Sequence, residues 1–195
     1  MRSEASRIAI LEATLRLLEV MPLQHVSIDA IAREAGVGKA TIYRWWPSKA
    51  SVVIDAFIRH HGVNVPILKN VGPSEALARH IHLLVKEYGS WAGSIVAQLM
   101  AEGQNDPAVM REFRDRFWEV RRAMVRQLID EARQVGEFRT DVDVAVQEYL
   151  IYAPIYMALM FQHPRLDRAF ADSHCAAVMK ALRPAPTPPQ RRPLR

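Results

Sequence analysis

Apolar residues recur at helical spacing along nearly the whole chain, and no alternating stretch of useful length marks a strand. Ile8, Leu11, Leu15 and Leu18 share one face of a first helix that ends near "VMPL". Ser27 is placed to cap a short second helix with Ile28, Ile31, Ala32 and Ala35 inward, and Gly36 sits where a left-handed residue would stop it. A third helix is expected from Lys39 to about Trp45, closed by Pro47, and Ser48 restarts the chain as the cap of a fourth that runs to about His60. Beyond the loop "GVNVPILKNVGPS" the helices lengthen, at roughly 74–88, 91–103, 107–135, 143–162 and 167–182. The strongest is 107–135. Asp106-Pro107 begins it as cap and first residue, Gly136 ends it, and Val109, Phe113, Phe117, Val120, Met124 and Leu128 repeat in steps of three and four. The pattern predicts an all-α protein of about nine helices.

Composition narrows the class. Half of the 195 residues are hydrophobic and 24% are charged, as in a globular protein with a proper core. No uninterrupted apolar run reaches the roughly 18–20 residues of a membrane span, and three Glu in the first twenty residues argue against a secretory signal. Cys175 alone allows neither an internal disulfide nor a cysteine zinc site. A cytoplasmic protein with no membrane partner is expected. The net charge of +5 is unevenly spread: residues 1–62 hold 8 Lys and Arg against 6 acids, residues 63–182 hold 14 against 15, and the last 13 residues hold four Arg and no acid. The basicity therefore belongs mostly to "RPAPTPPQRRPLR", an extended and mobile tail by its five prolines, and is weak support for a basic DNA-binding face.

The chemistry lies in "AGVGKATIYRWWPSK", residues 35–49. A phosphate-cradling Walker loop would need Gly where Arg33 stands, Ser or Thr where Ala40 stands, and a strand rather than a helix before it. The segment fits instead a helix–turn–helix, two short helices meeting across a glycine-containing turn, with Val37, Ile31, Ile42 and Trp46 closing a small core. Lys39, Ala40 and Thr41 then lie at the exposed tip of the third helix, where such a helix reads base edges in the major groove. Tyr43, Arg44 and Lys49 flank that tip with donors suited to phosphate oxygens.

At these residues the chain closely resembles the tetracycline-repressor (TetR) family of bacterial transcriptional regulators. The matching text is "VSIDAIAREAGVGKATIYRWWPSKASVVIDAF", residues 26–57, with Ala-Gly-Val-x-Lys-x-Thr-x-Tyr followed by a bulky pair and Ser-Lys. The resemblance implies that Tyr43 and Lys49 grip phosphates while Lys39, Ala40, Thr41 and Arg44 approach bases. Ser27, at the head of the preceding helix, and Trp45 complete the DNA-binding set. Trp45 stands where family members more often carry His, and Ala40 where many carry Gly. The resemblance also makes the last two helices, 143–162 and 167–182, the expected dimer surface.

In "EYLIYAPIYMALMFQ", residues 148–162, Tyr149, Tyr152 and Tyr156 form one stripe beside Pro154, which should bend the helix. The stripe is either ordinary core or dimer packing or one wall of an effector cavity between helices 91–103, 107–135 and 143–162. Trp91, Gln98 and Trp118 are the other candidate ligand-binding residues. Such a lining suits a flat or elongated apolar molecule with one or two polar groups. His60-His61 and His80-x-His82 lack carboxylate or Cys partners at ligand spacing and are expected to be core or solvated residues, so no metal site and no cofactor are assigned. No nucleophile–base arrangement supplies a catalytic residue.

The sequence thus reads as residues 1–62, a three-helix helix–turn–helix DNA-binding domain; 63–182, a helical effector-binding and dimerisation domain; and 183–195, the tail. The expected function is that of a homodimeric repressor released from a palindromic double-stranded DNA operator by a small molecule. Its rivals are an effector-independent activator and, further off, an enzyme that uses the helical cavity.

Overall fold

The computed structural model describes residues 2–163 and 165–184, so the expected tail lies outside the described residues from 185 onward. Ten α-helices follow in order: α1 (Arg2–Val20), α2 (Ile28–Ala35), α3 (Lys39–Tyr43), α4 (Lys49–Asn64), α5 (Pro73–Tyr88), α6 (Trp91–Asn105), α7 (Pro107–Phe113), α8 (Glu119–Gln134), α9 (Val144–Phe161) and α10 (Arg168–Leu182). A 3-10 turn at Leu23–His25 follows α1, and a π-helical turn at Arg114–Trp118 joins α7 to α8. Because these two run on through the π turn as one rod, the described residues make nine helical rods and no strand.

The starts and stops obey local chemistry. The Ser27, Ser48 and Asp106 side chains accept from the Ala30, Ser51 and Ala108 N–H groups, satisfying donors that a helix start leaves free. Gly36 ends α2 at φ 65°, with its N–H on the Arg33 carbonyl and the Val37 N–H on that of Ala32. This is the paired bonding of a Schellman stop. α3 is shorter than expected and ends at Tyr43, with Arg44 and Trp45 in a turn before Pro47.

α1 packs on α2 and α4, and α2 on α3, around Ile31, Ile42 and Trp46, which are at most 2% exposed. In the larger body α5 is central, touched by α4, α6, α8, α9 and α10. α4 belongs to both groups, since it also meets α6, α7 and the π turn, and Phe57 on it lies 5.0 Å from Phe117. One hydrophobic core therefore runs through the two groups of helices.

One expectation about the long rod is corrected. Val109, Phe113, Phe117 and Leu128 are buried, but Val120 and Met124 are 48% and 42% exposed. The Glu119 N–H bonds the Arg114 carbonyl five residues back, so the π turn inserts one residue and advances the inward face by one position. Arg121, Val125, Leu128, Ile129 and Ala132 take that face instead, with Arg121 partly and the others fully buried.

α9 stays helical through Pro154. With mean hydropathy 1.4 over 18 residues it is long and apolar enough to cross a membrane by length and composition. Glu148 interrupts its apolar run, and is buried where Arg122 and Arg126 bond both of its oxygens.

Candidate nucleic-acid interface and effector cavity

Ile42 and Trp46 anchor α3 to the core, which leaves the opposite face of the helix and the turn after it in solvent. Lys39, Ala40 and Arg44 are exposed there, Thr41 is half-buried, and Tyr43 and Trp45 are 54% and 39% exposed. The Arg44 guanidinium sits 5.9 Å from the centre of the Trp45 ring, a cation–π arrangement. Lys39 pairs with Asp29 at 2.9 Å, and this bond raises the pKa of its ammonium. Lys49 is less free than the sequence suggests: it is half-buried, and its Nζ donates to the Leu23 carbonyl at 3.1 Å. Ser27 spends its hydroxyl oxygen on the α2 cap but remains exposed.

A cavity of about 430 Å³ opens between α6, α7, the π turn and α9. Trp118, Tyr149, Tyr152 and Tyr156 from the sequence-derived set all line it. Trp91 and Gln98 do not, which corrects their grouping with the tyrosines. Trp91 instead lies 4.8 Å from the His60 ring, over the His60–Glu87 pair that joins α4 to α5. Gln98 accepts from the Leu23 N–H at 2.7 Å and borders a separate cavity beside the α9–α10 loop. It is a tether for the 3-10 turn that also holds Lys49. Sequence reasoning missed Met100, Met110, Phe113, Arg114, Ala153, Met157 and Met160, which complete the lining. Ala153, Met157 and Met160 continue the tyrosine stripe in steps of three and four and could have been found from that spacing.

Trp118, Tyr152 and Tyr156 stand in a ring of T-shaped contacts, with Trp118 centred 5.1 Å from each tyrosine. Their hydroxyls turn away from the cavity into the interior. That of Tyr156 meets the Tyr88 hydroxyl at 3.0 Å, and that of Tyr152 reaches His80 Nε2 at only 3.4 Å. Burial raises the pKa of all three tyrosines. The same burial, with Arg121 nearby, pushes His61 down to about 2 and His80 to about 3, so both rings are neutral. Periodicity could not reveal this polar interior, because Arg121 enters it only through the π turn.

The π turn also touches the DNA-reading helices. Arg116 pairs with Asp55 on α4 and with Glu112, and Glu112 accepts from Ser51 at the head of α4. Asp55 in turn accepts from Trp46 Nε1 at 2.6 Å, three residues beyond α3. A continuous set of charged hydrogen bonds thus connects the cavity wall to the end of the recognition helix.

A short helix held tip-outward on a three-helix base, joined to a larger helical body with a cavity, is the arrangement of a DNA-binding transcriptional regulator. Residues 10–56 match the family model of bacterial regulatory proteins of the tetR family, and residues 74–178 match that of the tetracyclin repressor-like C-terminal domain. The HTH-type transcriptional regulator YdeS of Bacillus subtilis (strain 168) is 34% identical over 87% of this chain and 85% of its own. The TetR family transcription regulator SCO0332 superposes with a TM-score of 0.79 at 24% identity, covering 92% of this chain and 99% of that one. FadR from Bacillus subtilis, solved in complex with stearoyl-CoA, superposes at 0.70 with 19% identity, covering 90% and 98%. The chain belongs to the TetR family of bacterial transcriptional regulators.

Proposed function

We propose that the chain is a homodimeric repressor that leaves its operator when a small apolar molecule enters the cavity beside the π turn. In this reading residues 1–62 read DNA and residues 63–182 bind the effector and the second copy. Lys39, Ala40 and Thr41 meet base edges; Tyr43, Arg44, Trp45 and Lys49 meet the backbone, with Ser27 at the same surface. One short helix reads too few base pairs, so two copies place their α3 helices about one DNA turn apart, or a multiple of it. Two features of α9 and α10 support the dimer. Val146, Leu150 and Phe161 are exposed on α9 outside the cavity rim, and Ala169, Ser173, Ala176, Ala177 and Ala181 give α10 a small-residue outer face.

The observation that carries the effector reading is the double use of the π turn. Arg114 and Trp118 form cavity wall, while Arg116 between them clamps Asp55, which holds Trp46. A ligand that moves this turn shifts α4 and the spacing of the recognition helices; changing the balance a hundredfold needs about 2.7 kcal/mol of differential affinity. FadR from Bacillus subtilis, which shares this fold, was solved in complex with stearoyl-CoA, and a long acyl chain is the kind of apolar body this cavity would take.

The test is anisotropy titration of the full chain against the DNA upstream of its own gene, with scrambled DNA as control. Tighter binding of the parent chain to its own upstream DNA than to scrambled DNA, with both affinities lowered in Tyr43→Ala and Lys49→Ala, supports the repressor reading. Equal affinity for both DNAs refutes it.

A further inference from the structure

The reading tip carries an acid. Lys39, the first residue of α3, pairs at 2.9 Å with Asp29 in the first turn of α2, and both side chains are exposed. The other two cations of residues 38–49 have no carboxylate partner among the described residues: Arg44 lies over the Trp45 ring, and Lys49 donates to the Leu23 carbonyl. Glu34, the other acid of residues 26–49, is taken by Arg16 on α1 at 2.8 Å. The cation at the very start of the recognition helix, where base edges are read, is therefore the one already neutralised.

A carboxylate at that place acts differently on phosphates and on bases. Non-specific binding comes from lysines and arginines that displace counterions from the DNA backbone. A lysine that holds a carboxylate displaces little. To reach a phosphate it must abandon that carboxylate and leave it facing the polyanion. A base edge makes no such demand. The ammonium has three donors, so one can stay on Asp29 while two remain for the O6 and N7 acceptors of a guanine. An acid in the first turn also complements the positive end of α2, but that role needs no contact with Lys39.

We infer that Asp29 is a specificity-determining residue that holds Lys39 off the phosphates and keeps it for base edges, so the protein separates its operator from other DNA by gripping the latter less. This rests on the reading of Lys39 as a base contact. Asp29 is a positioning residue in it, acting through Lys39.

Anisotropy titration of the full-length protein tests this, on the DNA upstream of its own gene and on scrambled DNA, at several salt concentrations. The readout is the ratio of the two affinities, because a weakened α2 would lower both alike. Asp29→Asn keeps the shape and removes the charge. It should tighten scrambled-DNA binding, steepen the salt slope there by about one and cut the ratio about threefold to tenfold. Asp29→Glu retains the charge and should keep the ratio within about twofold of the parent. In the Lys39→Met background, Asp29→Asn should move the ratio by less than about twofold, since the partner it acts through is gone. A ratio unmoved by Asp29→Asn, in a parent that prefers its upstream DNA, overturns the role of Asp29 and leaves the operator reading intact. A fall of full size in the Lys39→Met background puts the carboxylate's effect directly on phosphates and overturns its action through Lys39. Equal affinity of the parent for both DNAs overturns both readings. The Asp29 and Lys39 side chains are 63% and 57% exposed, so these variants leave the core untouched.

Discussion

Lowering the pH from 7.5 to 5.5 should weaken the fold by about 3 kcal/mol through His61 and His80 alone. Burial pushes these rings down to about 2 and about 3, with Arg121 opposing their protonation further. In the unfolded chain each returns to about 6.5. Below that value the unfolded state binds a proton that the folded state refuses, so stability is full above about pH 6.5 and falls toward the folded pKa. One unit below 6.5 the linkage amounts to about 1.4 kcal/mol for each ring, and the two rings act in the same direction. His174, also lowered by burial, adds to the fall, whereas Glu87, raised by burial, opposes it. Variants isolate the two rings from that background. His61→Phe keeps an aromatic ring among Phe57, Tyr88 and Phe117. It and His80→Phe should each reduce the loss between the two pH values by about 1.4 kcal/mol, read from urea midpoints at constant m. A loss in both variants equal to that of the parent would refute the neutral, buried assignment.

Lys49→Ala should weaken binding to all DNA sequences alike and lower the salt slope of log K by about one, measured by anisotropy at several salt concentrations. A changed base preference with an unchanged slope would contradict the phosphate role. Gly36→Ala places a side chain at φ 65° in open space, so it should cost about 1–2 kcal/mol in chemical denaturation through backbone strain alone. Trp46→Phe deletes the donor to Asp55 and should cost about 1.5–3 kcal/mol of stability together with some operator affinity. An unchanged urea midpoint would remove that bond from the proposed relay. Tyr152→Phe takes one hydroxyl from the interior and should weaken effector-driven release by about 0.5–1.5 kcal/mol while leaving effector-free operator affinity near that of the parent. An unaltered effector response in both Tyr152→Phe and Tyr156→Phe would make the stripe simple packing.

Much of the architecture follows from local rules that the chain states openly. Ser27, Gly36, Ser48 and Asp106-Pro107 set helix ends through bonds made within a few residues, so reading them requires no knowledge of what packs nearby. The turn motif likewise fixes which face of α3 looks outward, because Ile42 and Trp46 can only point in. The tyrosine stripe was visible too, since residues three and four apart share a face on any helix. Other features depended on contacts distant in sequence. Trp91 and Gln98 sit on α6 as expected, but the neighbours that claim them come from α4 and the 3-10 turn. The π turn is the decisive case. Steps of three and four run cleanly from Val109 to Leu128 in the sequence, and an unbroken α-helix would have left Arg121 beside that stripe. Packing against α4, with Phe57 on Phe117 and Asp55 on Arg116, accompanies one extra residue at 114–118. That residue moves Val120 and Met124 into solvent and Arg121 inward, because every residue after an insertion is rotated by one position. Sequence periodicity determined that a helix would be there; the tertiary structure decided which charge it carries into the protein.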